Sequence, residues 1–349
     1  MWSPAYETVM STSALTPPRM LAPRPYPRTL SLVIPAYNEE EVLPLLREEI
    51  RRFAAALPCA LEVVIVNDGS RDRTIELLAA WAQDDPAVMV LDLSRNFGHQ
   101  VAATAGLDAA TGDAVVLIDA DLQDPLDVVH EMIKRYVEGY DVVYGQRVGR
   151  EGEGIFKRAS AWLFYRLMRG MVYKDLPPDT GDFRLVSRKA LDSLIAMREQ
   201  HRFLRGMACW VGYPQISQPY KRAARAAGTT KYPLRKMLLL AWTAATSFSA
   251  LPLRLSLLLG FAVGLLGIEE AVRAVAVFLR GGTVPGWTSL MLVNCAIGSA
   301  LLIALSVVGD YIGKIFEQVK QRPIYIVARR FSSAEGQPPA AACKERSGA

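Results

Sequence analysis

Val116-Leu117-Ile118-Asp119-Ala120-Asp121-Leu122-Gln123 is an apolar run that ends on two carboxylates separated by one small residue. It reads as the close of a buried strand over Ala114–Asp119. In an open α/β sheet, ligands lie beyond the carboxyl ends of the strands, so Asp119 and Asp121 project where a ligand would sit. Two hard oxygen donors at that place suit a divalent cation bound with a diphosphate, Mg2+ or Mn2+. Acids are also favoured at the start of a following helix without any metal. The surrounding pattern has to decide.

That pattern alternates between short β-rich runs and amphipathic stretches. The runs are Leu30–Ile34, Leu61–Asn67, Val88–Leu93, Ala114–Asp119 and Asp141–Tyr144. Helical periodicity lies between them near 40–57, 72–84, 99–110 and 126–138. The alternation predicts an α/β domain with a mostly parallel sheet covered on both faces by helices. The first strand runs into Pro35-Ala36-Tyr37-Asn38-Glu39, which is no Gly-x-Gly-x-x-Gly turn and argues against a dinucleotide-binding dehydrogenase. The Gly-x-x-x-x-Gly-Lys-Ser/Thr loop of a P-loop ATPase is missing as well.

The chain has 349 residues, of which 51% are hydrophobic, and 40 basic against 35 acidic side chains give +5. That excess is too small to argue for nucleic acid. Cys59, Cys209, Cys295 and Cys343 lie far apart without a Cys-x-x-Cys and read as reduced thiols on the cytoplasmic side. Residues 1–28 are polar and proline-rich, have no apolar core with a cleavage site, and read as a disordered leader. The tail over 331–349 reads as disordered too.

Trp287–Gly309 is 23 residues without a charged side chain, enough to cross a hydrocarbon core of about 30 Å. A first span is expected over Leu251–Ile268, with Glu269, Glu270 and Arg273 at its far end. The alternative is a longer span that carries a buried ion pair and hence a function. Lys221, Arg222, Arg225, Lys231, Arg235 and Lys236 precede the first span, and Lys314, Lys320, Arg322, Arg329 and Arg330 follow the second. By the positive-inside rule both chain ends belong in the cytoplasm, and a two-helix hairpin anchors the domain. Residues 155–172 form a basic amphipathic stretch, with Phe156, Leu163, Leu167 and Met171 near one face. It suits a membrane interface or an ordinary core-facing helix. The domain limits expected are 29–236 for the catalytic domain, 237–254 for a juxtamembrane segment, 255–312 for the hairpin and 313–330 for a cytoplasmic end.

These motifs resemble a known family. Ile34-Pro35-Ala36-Tyr37-Asn38-Glu39, Val66-Asn67-Asp68-Gly69-Ser70 and Asp119-Ala120-Asp121-Leu122-Gln123 are similar to the donor-site motifs of glycosyltransferase family 2. Gly181-Asp182-Phe183-Arg184-Leu185, Thr230-Lys231-Tyr232, Ser247-Phe248-Ser249 and Pro252-Leu253-Arg254 resemble its polyprenyl-phosphate branch, that of dolichol-phosphate mannose synthase and bactoprenol glucosyltransferase. The resemblance covers roughly 30–327. Thr230 before Lys231, Asp310 and Lys314 stand where the family usually has Ser, Glu and Arg.

The resemblance implies a Rossmann-like GT-A fold and inverting transfer of one sugar from a nucleotide diphosphate to polyprenyl (undecaprenyl) phosphate. The setting would be the cytoplasmic face of the bacterial inner membrane. Pro35, Tyr37, Glu39, Val66 and Asp68 would line the nucleotide pocket. Asp119 and Asp121, with Gln123 near them, would meet ribose, diphosphate and the Mg2+ or Mn2+. Arg147 and Lys231 would meet donor phosphates, Arg184 and Lys231 the lipid phosphate. Asp182 joins Asp119 and Asp121 as a catalytic candidate, either as a base or as an orienting residue. His99 reads as a helix-start or packing residue. The two-span type favours UDP-glucose as donor, with GDP-mannose or another nucleotide sugar as the alternative. Gly260, Gly264 and Gly267 could support a homo-oligomer. A processive synthase fits poorly, because Gln200-His201-Arg202-Phe203-Leu204 departs from a Gln-x-x-Arg-Trp acceptor motif. An inactive nucleotide-sugar scaffold is opposed by the intact Asp119, Asp121 and Asp182.

Overall fold

The computed structural model describes residues 21–148, 180–222, 251–281 and 286–333. They form two units, a sheet domain and a pair of long helices. Lys231, the basic stretch 155–172 and most of the juxtamembrane segment lie outside the described residues.

In the sheet domain, strands β1 (Thr29–Ala36), β2 (Ala60–Asn67), β3 (Val88–Leu93) and β4 (Ala114–Leu117) run parallel. Each centres on a largely buried apolar run, Leu32–Ile34, Val63–Val66, Val88–Leu91 and Ala114–Leu117, as a sheet covered by helices on each side demands. Helices α1 (Leu43–Ala56), α2 (Thr74–Asp84) and α4 (Asp127–Val137) cover one face, where Leu32, Ile65, Trp81, Met132 and Ile133 share a core. On the other face lies α3 (His99–Ala109), so close that a Cβ on Gly106 would sit 2.4 Å from a Val33 methyl. The expected strands and helices are all present, with ends shifted by a few residues at most.

Five elements were not legible beforehand: three strands and two helices. Strand β5 (Val142–Arg147) extends the expected Asp141–Tyr144 run and pairs parallel with β7 (Gln215–Tyr220). Between β4 and β5, antiparallel to both, lies β6 (Thr180–Ser187). Ser187 then caps α5 (Arg188–Ala196), accepting from the Ala190 N–H, and α6 (Leu204–Trp210) follows. On the far edge β8 (Val327–Ser332) pairs antiparallel with β3 and closes the order β7-β5-β6-β4-β1-β2-β3-β8. The domain is α/β, with a mostly parallel sheet.

Two expected limits move. The leader was expected to stay disordered to residue 28, but residues 21–28 lie against the domain. Arg24 donates to Asp141 at 2.9 Å and to the Gly139 carbonyl at 2.7 Å. The C-terminal segment was expected to end at 330, whereas β8 continues to Ser332. In both cases a polar segment gains order from partners supplied by distant parts of the chain.

Helices α7 (Leu251–Leu279) and α8 (Trp287–Val319) contact each other. The first span was expected to end at Ile268, yet α7 passes through Glu269, Glu270 and Arg273 without a break. Charged side chains do not interrupt a backbone ladder that satisfies itself internally, and neither Gly nor Pro occurs there. The helix ends near Gly281, whose φ of +74° suits a C-terminal stop. α8 likewise continues beyond Gly309, with an Asp310–Lys314 pair at 3.7 Å. Among the described residues, one stretch is long and apolar enough to cross a membrane. It is Ala296–Val319, displaced toward the C-terminus from the expected Trp287–Gly309.

Candidate active site

The parallel strands β1, β2, β3 and β4 all point their carboxyl ends the same way, and the sequence motifs lie at those ends. β6 runs the opposite way beside β4, with Leu117 opposite Arg184. Extending that antiparallel register by two residues sets Asp119 opposite Asp182. Sheet topology therefore brings together two acids separated by more than sixty positions in the sequence.

Between them stands His99, the first residue of α3. Its Nε2 is 3.4 Å from Asp119 Oδ1 and 3.4 Å from Asp182 Oδ2. Burial lowers the imidazole's pKa, but the hydrogen bond to Asp182 and the charge of Asp119 prevail and raise it above the ordinary histidine value. His99 was expected to have only a helix-start or packing role. It does start the helix, and it also bridges the two carboxylates.

Asp182 is 6% exposed and densely partnered. Arg205 from α6 donates to it through Nε at 2.8 Å and Nη2 at 3.1 Å, and Gln100 Nε2 donates at 2.9 Å. Burial alone would raise its pKa. The Arg205 guanidinium outweighs this, helped by His99 and Arg184, and holds the carboxyl well below the usual range. Asp119 behaves oppositely. Burial and then the nearby Asp182, Asp124 and Asp121 charges push it up against His99, and its Oδ1 is buried without a hydrogen bond.

Asp121 Oδ1 accepts from the Gln123 N–H at 3.2 Å, across a tight turn in which Leu122 has φ +57°. Arg222 lies 3.8 Å from Asp121 Oδ2 and 3.7 Å from Asp124 Oδ1. Asp124 is buried; it accepts from the Tyr220 hydroxyl, and its Oδ2 has no hydrogen-bond partner. Burial and Asp124 raise the Tyr220 pKa, and Arg147 Nε donates to the Tyr220 oxygen at 3.3 Å. Among the described residues, no three His, Cys, Asp or Glu side chains converge as a ready-made cation cage. The orphaned oxygens of Asp119 and Asp124 still fit a cation that arrives with a diphosphate, since Mg2+ is commonly held by one or two carboxylates plus substrate phosphates.

Three residues take different positions from those expected. Arg184 is 5% exposed and donates to the carbonyls of Asp182, Leu204 and Gly181 at 3.2, 3.3 and 3.1 Å. Its guanidinium is turned to backbone, away from a place where it could meet a phosphate. Asp68, expected in the nucleotide pocket, accepts from the Phe97 N–H at 2.7 Å and the Gly98 N–H at 3.0 Å, and so ties down the loop before α3. Val66 is fully buried in β2. Tyr37, by contrast, is 42% exposed, and Glu39 lies beside it with its N–H bonded to Thr74 Oγ1. Arg205, Arg222 and Gln100 were missed, because a charged or amide side chain in a helical or loop stretch gives no local signal of its partner.

Gly69 is a point where the fold tolerates nothing larger. Its φ is +65°, and a Cβ would lie 2.5 Å from the Arg95 carbonyl carbon. Gly69→Ala is therefore expected to lower stability by about 2–4 kcal/mol, from left-handed strain plus a backbone clash. Thermal denaturation measures it, and an unchanged melting temperature would refute the close approach.

The comparisons with known proteins agree with this architecture. Residues 31–195 match Glycosyl transferase family 2. The chain is 43% identical over 304 residues to the uncharacterized glycosyltransferase YkcC of Bacillus subtilis, covering 86% of this chain and 94% of that one. It is 38% identical over 301 residues to the SfII prophage-derived bactoprenol glucosyl transferase of Shigella flexneri, covering 86% and 97%. A solved mannosyltransferase, PcManGT from Pyrobaculum calidifontis with GDP-Man and Mn2+, is 18% identical over 84% of this chain and 89% of that chain. Its TM-score of 0.43 is too low to bear on donor or metal. The family match and the relatives thus define a glycosyltransferase. The chain belongs to glycosyl transferase family 2.

Proposed function

We propose that this enzyme transfers one glucosyl residue from UDP-glucose to a polyprenyl phosphate such as undecaprenyl phosphate, with inversion, at the cytoplasmic face of a membrane. The observation that carries the proposal is the match, over 97% of its length, to a relative named bactoprenol glucosyl transferase. In this chain the shared sequence folds so that Asp119, Asp121 and Asp182 meet at one sheet end.

The chemistry suits those residues. A nucleoside diphosphate leaves as its glycosidic bond breaks, and charge accumulates on its phosphates. Asp119 and Asp121, with Gln123, would hold an Mg2+ or Mn2+ ion that stabilises this charge. Arg147 and Lys231 remain the proposed donor-phosphate cations. A phosphate monoester has its second pKa near 6, so about nine-tenths of the acceptor is dianionic at pH 7 and needs little help from a base. Asp182, held ionised by Arg205, is better suited to placing that arginine. We assign the lipid phosphate to Arg205 with Lys231, since Arg184 faces backbone carbonyls.

The helices support a membrane setting. Leu258, Phe261, Leu265, Leu301, Leu302 and Leu305 are each more than 60% exposed in the isolated chain, a surface that water disfavours and a bilayer would cover. Both termini are placed in the cytoplasm. Single-cysteine labelling is then expected to reach Gly282 from outside spheroplasts and to miss Thr230. Labelling of Thr230 alone would reverse the orientation.

A donor screen with undecaprenyl phosphate tests the reaction. Labelled lipid is expected from UDP-glucose. Product from GDP-mannose instead would change the donor, and lipid product from no nucleotide sugar would refute the acceptor.

A further inference from the structure

β8 follows α8 in the chain and occupies the sheet edge next to β3, on the side of the domain that carries Asn67 and Asp92. Register places Arg329 opposite Asp92. Arg329 donates to Asp92 Oδ2 through Nε at 2.9 Å and approaches it through Nη2 at 2.7 Å. An exposed ion pair ordinarily contributes little. Here only one partner is exposed, since the Arg329 side chain is 60% accessible and that of Asp92 is 8%.

The buried carboxylate passes the contact inward. Asp92 Oδ1 accepts from Asn67 Nδ2 at 2.7 Å, and Asn67 is 1% exposed. The amide has one donating and one accepting end, so binding Asp92 through nitrogen commits its oxygen to the other side. That oxygen accepts from the hydroxyl and the N–H of Ser70. Ser70 Oγ in turn accepts from the Asn38 N–H at 2.9 Å, and Asn38 Oδ1 accepts from the Arg71 N–H at 2.9 Å.

The end of this series is a strained residue. Asn38 has φ +55°, one of three left-handed non-glycine residues among those described. Such a conformation is disfavoured for a residue with a side chain and persists only where its surroundings enforce it. Its neighbours are Tyr37 and Glu39, which the family resemblance implies line the nucleotide pocket.

We infer that Arg329 is a positioning residue for donor binding, acting through Asp92, Asn67 and Ser70 on the Tyr37–Glu39 loop. The inference rests on that loop being the donor site. It gives the last strand a task besides closing the sheet edge: the catalytic domain reaches full donor affinity only when the segment after α8 is docked on β3.

The test uses the full chain in detergent, with calorimetric titration of UDP-glucose and GDP-mannose, kcat at saturating donor and melting temperature. Arg329→Gln is expected to weaken donor binding about five- to twentyfold, around the upper end of what one ordinary hydrogen bond contributes, with kcat within about twofold of wild type. Arg329→Lys should recover most of the affinity. Arg330→Gln, on the same strand but outside the series, should leave it unchanged. Combining Arg329→Gln with Ser70→Ala should add little to either change alone, because both break one series. Unchanged donor affinity in Arg329→Gln, an equal loss in Arg330→Gln, or full additivity with Ser70→Ala would each overturn the inference. Tyr37→Ala separates the two levels. If it leaves donor affinity intact, the donor-site reading itself fails; if it weakens binding while Arg329→Gln does not, only the positioning role fails.

Discussion

Replacing Asp121 with Asn is expected to reduce transfer by about 10³-fold or more, equivalent to roughly 4 kcal/mol of transition-state stabilisation. The swap is nearly isosteric. Asn still offers an oxygen to the Gln123 N–H, so the turn at Leu122 should persist and the melting temperature should change little. What disappears is one negative charge beside Asp119 and Arg222. If that charge holds a divalent cation on the donor diphosphate, wild-type activity must vanish in excess EDTA and return with Mg2+ or Mn2+. A fully active Asn variant, or wild-type turnover undiminished by chelator, would remove the metal from the mechanism.

Asp182→Asn and Arg205→Gln are expected to rank in an order opposite to that of a base mechanism. General-base help is worth about 10²–10⁴-fold where it operates, and it needs a carboxylate with an available lone pair and a pKa near the working pH. Asp182 has neither advantage. Arg205, Gln100 and His99 crowd its oxygens, and its pKa lies well below the ordinary value. Because the folded-state pKa is depressed, its ionised form stabilises the fold above about pH 4, the ordinary aspartate value, and that contribution is lost as pH falls further. Between pH 6 and 8 Asp182 does not titrate, so it cannot set an acid limb there. Asp182→Asn should lose less than about 10²-fold in kcat at pH 8, and Arg205→Gln should lose more, chiefly in kcat/KM for the lipid phosphate. A loss of about 10³-fold or more in Asp182→Asn, with acceptor binding unchanged, would make Asp182 the base.

Helix α7 shows that a change in side-chain polarity does not by itself end a helix. Glu269, Glu270 and Arg273 read as the boundary of a span, because burying charge in hydrocarbon is costly. Whether a helix stops is a separate matter, decided by backbone hydrogen bonding, and α7 continues to the left-handed Gly281.

The sequence by itself determined the parallel half of the sheet and the placement of its motifs. Strands β1 to β4 are each built on a short apolar run and are separated by amphipathic helices, a pattern written in neighbouring residues. Acids placed directly after such runs must project at the strand ends. Asp119 and Asp121 were legible for that reason, Tyr37 and Glu39 only through the resemblance of their motif to a known family. The tertiary structure decided the rest, because the information lay in pairings between distant segments. Thr180–Ser187 carries Asp182 and Arg184 inside a fully buried strand, and only its antiparallel register against β4 sets one acid opposite Asp119 and turns the arginine to backbone. Arg205 and His99 reach Asp182 from α6 and α3, and Arg329 reaches Asp92 from the far end of the chain. A charge in a sequence announces that it needs a partner. Which partner it finds depends on the strand order, because opposite charges attract across whatever gap the fold closes.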